Sequence, residues 1–167
     1  MSSELQKLSP MLLHDKWTLY HHFPSDNNWT LSGYNVLVTE IDSVEKVIDI
    51  NTHLTDNIVK YSMLFYMRSH VSPLWEDPQN INGGCFSYKV INKYVIEVWR
   101  HLMFLVSGES LFLSPEDNLY VNGITISPKK NFCIVKIWMK TNDLQDPSKI
   151  TTIDYLTKNG VMFKKHG

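Results

Sequence analysis

Seven runs of β-preferring residues restrict this chain to a fold built on a sheet. They are Lys16 to Phe23, Gly33 to Glu40, Lys60 to Arg68, Gly84 to Ile91, Tyr120 to Ser127, Phe132 to Met139 and Val161 to Phe163. Pro24-Ser25-Asp26-Asn27-Asn28 turns the chain after the first run. Pro128-Lys129-Lys130-Asn131 makes a hairpin of the fifth and sixth, because proline does not sit inside a central strand. Three helices interrupt the strands. Ser43 caps the first, whose apolar stripe is Val44, Val47, Ile48 and Leu54. The second spans Tyr94 to Val106, with Val95, Val98, Trp99, Leu102 and Val106 on one face and Gly108 as its stop. The third is expected to open at Asp146-Pro147, to carry Ile150, Ile153 and Leu156 on one face, and to end at Gly160.

Between the third and fourth runs lies Pro73-Leu74-Trp75-Glu76-Asp77-Pro78, followed by Gly83-Gly84. Prolines on both sides stiffen the loop where an indole and a carboxylate emerge together. An aromatic face stacks on a nucleobase, and a neighbouring carboxylate accepts hydrogen bonds from the base edge. A loop tryptophan also serves as a packing residue, and both readings stand for Trp75. Trp29, at the end of a polar loop, is either an anchor or a binding residue. Trp99 reads as core. In the sixth run Ile134, Lys136 and Trp138 alternate onto one face. That face suits a phosphate beside an aromatic surface, with Lys129 and Lys130 at the adjacent turn; the other reading is an edge strand protected by lysine.

The 167 residues suit one domain, with residues 1–10 as a loose tail and 11–167 as the folded unit. A net charge of −1 excludes a broad basic field for nucleic acid, so any such contact is a local site. Cys85 and Cys133 are too few for a disulfide framework, which suits a reducing compartment. No leader-like segment and no apolar run of membrane-spanning length stands out, so the expectation is a soluble, intracellular protein with no membrane partner. The chain has no alanine, 14 lysines against 2 arginines, and 13 residues each of asparagine and isoleucine. That bias suits an AT-rich genome such as that of a large DNA virus or a protist. No nucleophile–base pair, metal-spaced Cys/His cluster or phosphate-cradling glycine loop stands out, so no catalytic residue, metal or cofactor is assigned. His21 and His22 point to opposite faces of a strand and do not share an ion.

Lys16-Trp17, Trp29, Trp75-Glu76-Asp77 with Gly83-Gly84, Trp99 with Gly108-Glu109, and Trp138 together resemble the eukaryotic translation initiation factor 4E family, the mRNA cap-binding proteins. All five tryptophans fall where that family has one, and the resemblance covers about Leu13 to Phe163. It implies an α+β fold: a curved antiparallel sheet of about seven to eight strands, cupped like a hand, with three helices on the convex back. It further implies that Trp29 and Trp75 sandwich 7-methylguanine, that Glu76 binds the base edge, and that Trp138 lies against the methyl group. Basic side chains take the phosphates. Cys85 replaces the family's basic residue after the diglycine, so the phosphate role passes to Lys136, then to Lys129 and Lys130; Lys164 and Lys165 are expected to replace part of the contact that the family's C-terminal loop makes toward the second nucleotide.

On the convex face, where the family binds partner peptides, the corresponding residues are Val44, Ile48, Trp99, Arg100 and Phe104. Ile48 stands in place of a tryptophan, and Arg100 and His101 replace an apolar residue and a glutamate. The resemblance thus implies a cytoplasmic, monomeric factor that binds capped mRNA and a divergent or dedicated scaffold protein in translation initiation. Two other readings are a protein that sequesters caps and represses translation, and an interaction module on this fold that binds no cap.

Overall fold

The computed structural model describes residues 9–167, so most of the expected tail lies outside the described residues. Seven strands form one antiparallel sheet: β1 (Leu12–His22), β2 (Asn35–Ser43), β3 (Met63–Arg68), β4 (Gly84–Ile91), β5 (Val121–Pro128), β6 (Phe132–Met139) and β7 (Met162–Lys165). Their spatial order is β2-β1-β3-β5-β6-β4-β7. The α-helices are α1 (Val44–His53), α2 (Asp56–Tyr61) and α3 (Val95–Ser107). β6 lies between β5 and β4, so its lysine does not guard an edge.

Period-two alternation sorts the sheet into two surfaces. Leu64 and Tyr66 of β3, Phe86 and Tyr88 of β4, and Val135, Ile137 and Met139 of β6 enter one large core. The helices bury Val47, Ile50, Val59, Val98, Trp99, Leu102 and Val106 in that same core. Intervening residues Phe65, Met67, Cys85 and Trp138 form a separate cluster, against which Tyr20, Tyr34 and Met63 pack. The two clusters give the sheet a helix-covered back and an open front.

Ser43 caps α1 by accepting from the Lys46 backbone N–H at 3.3 Å. The inward residues of α1 are Val47 and Ile50; Ile48, placed in the expected stripe, points outward and is 50% exposed. The short α2, capped by Thr55 onto Ile58, occupies residues that include the start of the expected third strand. Three α-helices are present among the described residues, but the third is not the one expected at Asp146-Pro147. There the chain makes a single 3-10 turn, Pro147–Lys149, capped by Asp146. Ile150, Ile153 and Leu156 are buried as expected, but from an irregular path pinned by isolated bridges Phe112↔Ile150 and Ile153↔Leu156. Ile150-Thr151-Thr152-Ile153 is a β-branched run, which disfavours helix, and Tyr155 takes a left-handed φ of 68°.

Two irregularities set up the front. Between Leu12↔Ser43 and Trp17↔Ile41, β1 carries several residues more than β2. Between Val121↔Met139 and Gly123↔Trp138, β5 carries one extra residue, Asn122. The Gly83-Gly84 pair is required by close approach: a Cβ on Gly83 would overlap the Met139 carbonyl, and one on Gly84 the Lys164 carbonyl.

Candidate functional site

The floor of the front surface is built by register. Trp138 stands beside Cys85 and Cys85 beside Lys164, in a row across β6, β4 and β7. The next row runs from Thr125 through Lys136 to Ser87. The Trp138 indole N–H donates to Thr125 Oγ1 at 3.2 Å, which ties the ring to the neighbouring strand.

Over this floor stand two loops. Trp29 follows the polar loop after β1 and is 46% exposed. One of its faces is covered by the buried His22 ring, 3.9 Å away between centroids and tilted by 1°. His22 is itself fixed: its Nδ1 and Nε2 lie 2.8 Å and 2.7 Å from the carbonyl oxygens of Phe23 and Asn28. Tyr34 meets both the His22 and Trp29 rings edge-on. The other face of Trp29 is left to the cavity.

The second loop carries Trp75, 47% exposed, and Glu76. Besides Pro73 and Pro78, two polar residues tie this loop down: Asp77, whose role within the loop the sequence did not show, and Asn80, which it did not single out. Asp77 accepts from Ser72 N–H at 3.0 Å, Ser72 O–H at 2.7 Å and Gln79 N–H at 2.8 Å. Burial works against ionisation of Asp77, but these hydrogen bonds prevail and hold its carboxyl below the usual carboxylate range. Asn80, fully buried, donates to the carbonyls of Ser72 at 3.2 Å and Leu74 at 2.8 Å. Its side-chain oxygen accepts from Asn122, the extra residue of the β5 bulge, at 2.8 Å. The acidic pair therefore splits its work. Asp77 is consumed by the loop, whereas Glu76 makes no hydrogen bond or ion pair among the described residues. Burial, and then the Glu76 charge, push the Tyr34 hydroxyl up to about 12.

Trp29, Trp75, Glu76, Trp138 and Lys136 line one cavity of about 310 Å³ on the front surface. Residues from distant parts of the sequence thus meet in one place. A second cavity of about 280 Å³ adjoins it through Trp75, Lys136 and Trp138 and adds Cys85, Ser87, Lys164, Lys165 and His166. Lys136, Lys164 and Lys165 form no ion pair among the described residues, so this cavity carries uncompensated positive charge. Lys129 and Lys130, at the β5–β6 turn, line neither cavity. The expected seventh strand ended at Phe163; in the structure β7 continues to Lys165, and this continuation brings Lys164 beside Cys85. Lysine is depleted in strands, so Lys164-Lys165 gave no strand signal. The chemistry of the joined cavities is that of a flat, electron-poor ring with hydrogen-bond donors on its edge and an anionic tail.

On the opposite surface, Ile48, Arg100 and Phe104 line a shallow groove with Asn51 and Thr52. Arg100 donates to the Leu54 carbonyl at 2.8 Å. Val44 is half-buried. Trp99, assigned above to this partner face, is fully buried in the core and does not reach the groove. The reason is helical phase: Trp99 lies one step from Val98 and three from Leu102, inside the apolar arc of α3.

In sequence, residues 12–166 match the family model described as Eukaryotic initiation factor 4E. A eukaryotic translation initiation factor 4E homolog of Acanthamoeba polyphaga mimivirus is 36% identical over 88 residues, 53% of this chain and 30% of that protein. The eukaryotic translation initiation factor 4E of Saccharomyces cerevisiae is 29% identical over 136 residues, 78% of this chain and 62% of that protein. The chain thus spans less than two thirds of the length of either relative. In fold, it is similar to the crystal structure of Schistosome eIF4E complexed with m7GpppG and 4E-BP. The TM-score is 0.71 at 22% identity, over 82% of this chain and 76% of that one.

Proposed function

Because the chain belongs to the eukaryotic initiation factor 4E family, we propose that its front cavities bind the 7-methylguanosine cap of mRNA and that it acts in translation initiation. The observation that carries this reading is the meeting of Trp29, Trp75, Glu76 and Trp138 around one cavity. Methylation at N7 makes guanine cationic. A cation between two indole faces gains stacking, worth roughly 1–3 kcal/mol per base, and cation–π attraction of about 0.5–2 kcal/mol. The unpaired Glu76 carboxylate accepts from the base-edge N–H groups, and the positive charge of the base strengthens that contact. Lys136, with Lys164 and Lys165, takes the triphosphate in the adjoining cavity; Lys129 and Lys130 serve at most a longer RNA. The reading is of a binding protein with no catalytic step, in the cytoplasm where capped mRNA is translated.

Tryptophan fluorescence titration with 7-methylguanosine triphosphate and with GTP tests this. The methylated nucleotide is expected to quench Trp29 and Trp75 and to bind more tightly than GTP by roughly two- to thirtyfold, the size of the cation term. Equal affinity for the two nucleotides, or no quenching by either, would sink the reading.

The convex groove supports a partner with altered chemistry. A scaffold peptide of the usual family type would meet Ile48 where the resemblance implies an indole, and Arg100 where it implies an apolar residue. Losing an aromatic anchor typically costs about 2 kcal/mol or more. Fluorescence anisotropy with such a peptide is expected to give an affinity weaker by tenfold or more than that of a relative retaining the tryptophan. Binding of equal strength would refute the altered-partner reading. Within this proposal the scaffold is a divergent or dedicated protein.

A further inference from the structure

His166 follows β7 and closes the second cavity. Its backbone N–H donates to the Gly83 carbonyl at 3.0 Å, and its ring lies 4.9 Å from the Trp138 ring. The side chain makes two hydrogen bonds to different parts of the fold. Nδ1 is 2.8 Å from the carbonyl oxygen of Asn80, and Nε2 is 2.8 Å from Cys85 Sγ. A carbonyl only accepts, so Nδ1 carries the proton and donates. In the neutral ring Nε2 is then an acceptor, and the Cys85 S–H donates to it. Burial pushes the His166 imidazole below its ordinary value, and although the Asn80 bond opposes this, Lys136 reinforces it. Burial pushes the Cys85 thiol up to about 12 against the pull of Lys136. Both groups are thus neutral near pH 7, the state this hydrogen-bond pattern needs.

Asn80 is the other end of the connection. Its side chain holds the Ser72 and Leu74 carbonyls on the near side of Trp75, and its backbone oxygen receives His166. Asn80 and His166 together therefore join the underside of the Trp75–Glu76 loop to the sheet at Cys85 and to the Trp138 ring.

We infer that His166 is a positioning residue for base recognition: its Nδ1–H···O=C bond to Asn80 sets the height of the Trp75–Glu76 loop above Trp138. The ring acts through Asn80 and not as a contact to phosphate, although it lines the cavity that also holds Lys136, Lys164 and Lys165. This inference rests on the reading of the front cavity as a 7-methylguanine site.

The test compares wild type with His166→Ala, His166→Asn and His166→Gln, using 7-methylguanosine monophosphate and triphosphate. Asparagine places its amide N–H near the Nδ1 position and keeps the donation to Asn80. Glutamine reaches the Nε2 position and keeps only the Cys85 contact. Alanine and glutamine variants are expected to bind both nucleotides roughly fivefold more weakly, by the same factor, as the loss of one hydrogen bond gives. The asparagine variant is expected to bind close to wild type. Loss confined to the triphosphate would overturn the inference and make His166 a phosphate contact. Loss in all three variants that tracks their melting temperatures would overturn it as general destabilisation. Wild-type binding with unchanged variants would overturn the inference alone. Wild type that binds neither nucleotide would overturn the cavity reading itself and the inference with it.

Discussion

Trp75→Ala lowers affinity for 7-methylguanosine triphosphate by about a hundredfold and leaves thermal stability within the ordinary range of a surface substitution: this is the expected result, and both halves follow from the loop. The indole is half exposed, stacks on no other ring among the described residues, and belongs to neither buried cluster. The loop beneath it is held by Asp77 and Asn80 through bonds that do not involve the ring. Removing the ring therefore deletes ligand contact without deleting core. The stack contributes roughly 1–3 kcal/mol and the cation term about 0.5–2 kcal/mol, and each 1.4 kcal/mol is a factor of ten. GTP, which lacks the cation term, is expected to lose less, so methyl selectivity narrows as affinity falls. Trp75→Phe is expected to recover part of the stack. Isothermal titration of both nucleotides checks it; a loss below threefold for the methylated nucleotide would place Trp75 outside the binding site. Trp29 differs in kind, since its rear face already rests on His22 and its truncation also uncovers a buried ring.

The second large effect concerns stability. Arg68, at the end of β3, is buried and fully engaged. Its Nε donates to the Val121 carbonyl at 2.6 Å and its Nη2 to the Asn118 carbonyl at 3.0 Å. Nη1 and Nη2 reach the Glu109 carboxylate at 3.0 Å and 2.5 Å, and Nη1 reaches Asp15 at 3.2 Å. The guanidinium also lies over the Trp17 ring, 4.7 Å from its centroid, and Trp17 in turn stacks on Tyr66 at 4.9 Å. Arg68→Ala strips Glu109 of its partner and takes one donor each from the half-buried Asp15 and from the carbonyls of Val121 and Asn118. Removing one partner of a buried pair costs about 3–5 kcal/mol. In a domain of this size about 1 kcal/mol moves the melting temperature by roughly 2–4 °C. A fall of roughly 6–20 °C is expected by calorimetry. Lysine cannot restore it, since one ammonium does not span the fork that reaches three elements. Glu109→Gln in the Arg68→Ala background is expected to recover part of the loss, because it removes the stranded charge. A shift of less than 3 °C in Arg68→Ala would mean that the network adds little to the fold.

Much of the sheet was legible. β4 and β6 match their expected runs residue for residue, and β1, β2 and β5 are displaced only at their ends. Alternation is a local property, and a strand with one face in a core advertises it. The α3 stripe was readable for the same reason. The segment after Asp146 misled because Ile150, Ile153 and Leu156 have helical spacing yet are buried from an irregular path. Spacing reports that residues are buried, and only propensity, here a β-branched run, reports against the helix. Trp99 misled in the opposite sense: a family position suggested a surface role, while its own helical phase already assigned it to the core.

At the site, the chain's own patterning says which chemistry is available: three indoles, an acidic pair and a lysine beside Trp138, each on a loop or strand face that it identifies locally. Only the tertiary structure decided that Trp29 and Trp75, 46 residues apart in sequence, line the same cavity. It alone decided that Asp77 is spent on its own loop, and that Lys164 in β7 and His166 just after it wall the second cavity. The reason is physical. Side-chain direction along a strand repeats every two residues and is written locally, whereas strand order, a one-residue bulge at Asn122 and a hydrogen bond from His166 to Asn80 depend on register between segments far apart in the chain. No spacing rule carries that register.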